Sequence, residues 1–132
     1  MRRLVVSNRA FLWRVEHRHQ DNGGRTLCTE VLRIFAEGNK SALLRLVFPE
    51  QDGWQVGYPR AGVVWSTDGP ASYNLNRPAV VAAIIAYAVP AIWDPEASRS
   101  LTVDDAIPML GAANAPTGTP TDPLSTQTPA AR

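Results

Sequence analysis

The chain has 132 residues, 45% of them hydrophobic and 19% charged, with a formal net charge of +1. That composition fits one globular domain with its own core and excludes a chain that is disordered throughout. Cys28 is the sole cysteine, so no disulfide forms within the chain, and a lone thiol suits a reducing, cytoplasmic setting.

The charge is unevenly placed. Residues 1–25 hold six arginines against Glu16 and Asp21, whereas residues 51–132 hold four arginines against seven acids. The opening, MRRLVVSNRAFLWRV, is not read as a signal peptide, because Ser7, Asn8 and Arg9 break its apolar run.

Residues 10–19, AFLWRVEHRH, alternate strictly. Phe11, Trp13, Val15, His17 and His19 fall on one face, and Arg14, Glu16 and Arg18 on the other. Period two with one dry and one wet side predicts a strand. Asn22-Gly23 then offers the favoured pair for a two-residue type I′ turn. This turn pairs Phe11 with Ile34, Trp13 with Leu32, Val15 with Glu30 and His17 with Cys28. A helical reading of 27–37 competes, since Cys28, Val31, Leu32 and Phe35 also fit i, i+3, i+4, i+7.

Glu37–Ser41 predicts a second hairpin, which sets Leu32 and Ile34 opposite Leu46 and Leu44. Residues 51–72 suggest one or two short strands, around Trp54–Tyr58 and Val63–Trp65, broken by Pro59. A helix is predicted from about Arg77, with Asn76 as N-cap and Pro78 in the first turn. Val80, Val81, Ile84, Ile85 and Ala88 form its buried stripe, Pro90 ends or kinks it, and Ile92 and Trp93 pack at its exit. No charge occurs from Pro78 through Trp93, yet the run is shorter than the roughly 20 residues a membrane span needs. Ser100–Val103 and Ala106–Leu110 together supply one more strand. Residues 111–132 hold four prolines and much Thr and Ala, the composition of a disordered tail.

The expected fold is therefore α+β over residues 1–110. Two N-terminal hairpins form a mostly antiparallel β-meander, covered on one face by a single C-terminal helix and followed by a short strand. No membrane segment is expected.

Few residues offer chemistry. There is no phosphate-cradling glycine loop and no serine nucleophile motif, so the sequence leans away from an enzyme. Cys28 with His17 as its base is the only formal nucleophile pair, and a strand-borne cysteine more often packs. His17, His19, Cys28 and Glu30 are a possible zinc set, carried by adjacent strands of one hairpin. Arg14, Arg18, Arg25 and Arg33 give one hairpin face a basic character that could meet nucleic-acid phosphates, although Glu16 sits among them and the pI is only about 8.0. Trp54, Tyr58 and Trp65 are the anchors expected of a partner surface if they stand in solvent. In the absence of any resident cofactor motif, the leading expectation is a small non-enzymatic protein that binds another protein or itself, in the manner of an antitoxin or immunity protein. Zinc binding and nucleic-acid binding are the alternatives.

Overall fold

A computed structural model describes residues 1–114. The fold is α+β. Strands β1 (Arg2–Val6), β2 (Arg9–Asn22), β3 (Arg25–Ala36) and β4 (Leu44–Pro49) form an antiparallel meander. A second, three-stranded sheet follows, made of β5 (Trp54–Val56), β6 (Val63–Ser66) and β7 (Ser72–Asn74). Helix α1 (Pro78–Ala88) comes next, then strand β8 (Leu101–Val103), which pairs in parallel with β4, and helix α2 (Ile107–Ala113). The large sheet runs in the order β1-β2-β3-β4-β8.

Alternation decides which face is dry. Phe11 and Trp13 of β2, Leu32 and Ile34 of β3, and Leu44, Leu46 and Phe48 of β4 are all buried on one face. Against them pack Val56 and Val64 of the small sheet, Val81, Ile84, Ile85 and Ala88 of α1, and Ile107 and Leu110 of α2. The second hairpin pairs Leu32 with Leu46 and Ile34 with Leu44, as its spacing predicts.

The first hairpin differs from its predicted register by two residues. The turn is Gly23-Gly24, both at positive φ, and Asn22 pairs with Arg25. Phe11 therefore meets Ala36, Trp13 meets Ile34, Val15 meets Leu32, His17 meets Glu30 and His19 meets Cys28. A two-residue slip leaves every side chain on its face, so the dry stripe is indifferent to it. Residues 27–37 are strand up to Ala36, not helix, because both neighbours β2 and β4 satisfy their backbone groups.

Other departures are local. β1 has too short an apolar run to stand out, and it folds back through Ser7 and Asn8, which both take positive φ as a type I′ turn requires. Arg77, not Asn76, is the N-cap of α1, because the Asn76 amide turns back to donate to the Ala61 carbonyl. Val80 is only half-buried. The helix does end before Pro90, after which Trp93 is buried beside Phe11 while Ile92 is exposed.

Ala106–Leu110 is not a strand: Ile107–Ala113 is helical, so a second helix joins α1 on the dry face, and residues 111–113 belong to the fold. Pro108 occupies the first turn, and the Ile107 N–H donates to the Asp105 carboxylate. The rest of the expected disordered tail, from residue 115, lies outside the described residues. Among the described residues no helix is long and apolar enough to cross a membrane.

Candidate metal centre

The dry face of the β2–β3 hairpin changes character towards its turn. After Trp13 and Val15 the same side of β2 carries His17 and His19, and the same side of β3 carries Glu30 and Cys28. Strand alternation thus delivers all four to one surface, and the observed register places them in two direct cross-strand pairs.

One ligand atom from each of His17, His19 and Cys28 lies within 4.8 Å of the others. Cys28 Sγ is 3.6 Å from His19 Nδ1. Tetrahedral coordination at bonds of about 2.0–2.3 Å sets ligand atoms about 3.3–3.8 Å apart, so this separation already matches one edge of a zinc tetrahedron. The two imidazoles meet edge to face, with centroids 4.5 Å apart.

Glu30 plays a different part from the one its residue type suggests. Its side chain is fully buried and its Oε2 is hydrogen-bonded to His17 Nδ1, so it stands behind the imidazole. A carboxylate on one ring nitrogen leaves the other, Nε2, as the nitrogen that can donate its lone pair to a metal, the arrangement that orients metal-binding histidines. Glu30 Oε1 is buried with no hydrogen-bond partner among the described residues.

Two further residues support the cluster. Glu50 brackets Cys28: its N–H donates to the Cys28 carbonyl at 3.1 Å and its Oε1 accepts from the Cys28 N–H at 3.0 Å. Gly57 lies directly over the histidine, and a Cβ there would sit 2.2 Å from His17 Cε1. Neither was legible in the sequence, because both reach the hairpin from the β4–β5–β6 segment across a distance that no local pattern encodes.

Burial pushes the Cys28 thiol up from its ordinary range, helped by the Glu50 and Glu30 carboxylates. A thiol so held is a poor free nucleophile. The cysteine–histidine pairing is also with His19, not with His17, which is engaged by Glu30.

On the opposite face the arginines do not form an open basic field. Arg14, Arg18 and Arg33 converge on Glu16, the last two with Oε1 at 2.9 and 3.2 Å. The Arg18 hydrogen bond holds the Glu16 carboxyl below its usual range, partly offset by burial and reinforced by the charges of Arg33 and Arg14. Arg25 stands apart near the hairpin turn.

The aromatic set is divided. Trp54 and Trp65 are half-buried, and only Tyr58 is exposed. The Trp65 indole N–H donates to the Tyr58 carbonyl at 2.6 Å.

Comparison with protein-family models, with curated proteins and with solved structures finds no match to this chain.

Proposed function

We propose that this protein binds a zinc-type transition metal ion through His17, His19 and Cys28, with Glu30 orienting His17 from behind. One observation carries the reading: three soft or borderline ligands gather within 4.8 Å, and a buried carboxylate backs one of them, His17. Imidazole and thiolate together suit zinc better than the oxygen-seeking magnesium or calcium. Three protein ligands leave a fourth position to solvent or an external group: both Glu50 oxygens are held by the Cys28 N–H and the Gln55 amide, and Glu30 stands behind His17 through its Oε2.

The test is metal analysis of protein purified without a histidine tag. One zinc per chain is expected, and cobalt substitution should give a thiolate-to-metal absorption band that Cys28→Ser abolishes. Glu30→Gln should weaken zinc binding about 10–100-fold while leaving the stoichiometry intact. Protein that stays metal-free after zinc loading would sink the reading.

Contact with another protein is a second reading. It is supported by Tyr58, 59% exposed beside the Trp65 indole that its own carbonyl holds. Tyr58→Ala should then abolish any self-association seen by gel filtration without changing the melting temperature. An unaltered elution profile would remove Tyr58 from the contact.

A further inference from the structure

The outer face of the large sheet, opposite the metal centre, carries an unusual row. Arg14 lies directly across from Arg33, and Arg33 directly across from Arg45. Like charges set opposite one another on adjacent strands repel. Glu16 answers this only in part. It engages Arg14 through one terminal nitrogen and Arg33 through Nε alone, so the other N–H groups of both guanidiniums are left for a further acceptor. Among the described residues neither Arg45 nor Lys40 makes an ion pair.

Beside this row is a shallow cleft of about 310 Å³, lined by Arg14, Arg33, Lys40, Phe35, Leu43 and Met1. Three cationic side chains line it and no carboxylate does. Phe35 is buried with 8% of its surface exposed, Leu43 is half-buried, and Met1 stands exposed at the rim. The Phe35 and Leu43 side chains share this face because they continue the alternation that brings Arg33 and Arg45 outward.

We propose that this cleft binds a small organic oxyanion, a carboxylate or phosphate group carried on a flat apolar body. The guanidiniums offer planar paired donors to the oxyanion, and Lys40 adds a third positive charge from the β3–β4 loop. Phe35 and Leu43 cover the apolar part. Glu16 acts as a positioning residue: it fixes both guanidiniums from outside the cleft and leaves their remaining donors free. The row favours a compact ligand over a nucleic-acid strand, because no exposed aromatic accompanies these arginines for base stacking. The proposal is independent of the metal reading, since it uses the other face of the sheet.

The test is titration of the full-length protein with benzoate, phenyl phosphate and inorganic phosphate at constant ionic strength, followed by amide chemical shifts. Saturable shifts centred on Arg33, Phe35 and Leu43 are expected for at least one aromatic probe, with inorganic phosphate binding at least tenfold more weakly. Whichever of benzoate and phenyl phosphate binds tighter assigns the head group. Arg14→Gln and Lys40→Gln, both at exposed positions, should each weaken binding about tenfold while keeping a dispersed spectrum. Non-saturating shifts, equal affinity for inorganic phosphate, unchanged affinity in both variants, or saturation by a single-stranded oligonucleotide alone would overturn the proposal.

Discussion

Gly57 has φ +79°, a conformation that side chains adopt only with strain, and it presses on the imidazole that Glu30 holds. His17 cannot swing aside without leaving its carboxylate, so the space above Gly57 is closed to even a methyl group. Gly57→Ala should therefore lower stability by about 1–3 kcal/mol, combining overpacking with backbone strain. It should also weaken zinc binding, because the intruding Cβ displaces the ring. Denaturant midpoints and metal titration of the same variant check both halves. A stable Gly57→Ala protein with unaltered affinity would show that the loop over His17 plays no part in the site.

At the level of elements, α2 is the last element among the described residues. Its last turn includes Gly111–Ala113, and both the backbone N–H and the side-chain amide of Asn114 donate to the Leu110 carbonyl. Truncation after Leu110 should consequently melt at lower temperature than truncation after Asn114, since it deletes the turn that keeps Met109 and Leu110 packed. Equal melting temperatures would show that this turn contributes nothing. The same helix marks where sequence patterning fails: a five-residue apolar run such as Ala106–Leu110 fits a strand or one turn of helix equally well. The long strands were legible because Phe11–His19 and Leu44–Phe48 carry a period that only an exposed and a buried face can produce. The hairpin register was not. Asn22-Gly23 and Gly23-Gly24 are both good type I′ pairs, and the slip between them changes no face, only which residue meets which. That slip nevertheless decides the site, for it puts Glu30 behind His17 and Cys28 beside His19.

Across the whole molecule, the meander's two faces separate the charges: a histidine–cysteine cluster on one side, guanidiniums gathered on Glu16 on the other. The lowered pKa of Glu16 makes part of the stability depend on pH. This contribution is present in full above the ordinary carboxylate range and is lost as the pH falls through the depressed value in the folded state. The stability gap between wild type and Glu16→Gln should thus be largest near neutrality and shrink by about pH 3, as read from urea midpoints. A gap of constant size would mean that Glu16 acts by packing alone. The parallel pairing of β8 with β4 also has a kinetic side. Leu44 meets Leu101 only across a long crossover that includes the small sheet and α1, and such distant closures are slow. His17, His19, Cys28 and Glu30, by contrast, all sit on one two-stranded ribbon joined by two glycines. On the zinc reading proposed above, the ligand set is complete within this local ribbon and needs no distant closure to assemble, so zinc added during refolding should speed formation of the hairpin.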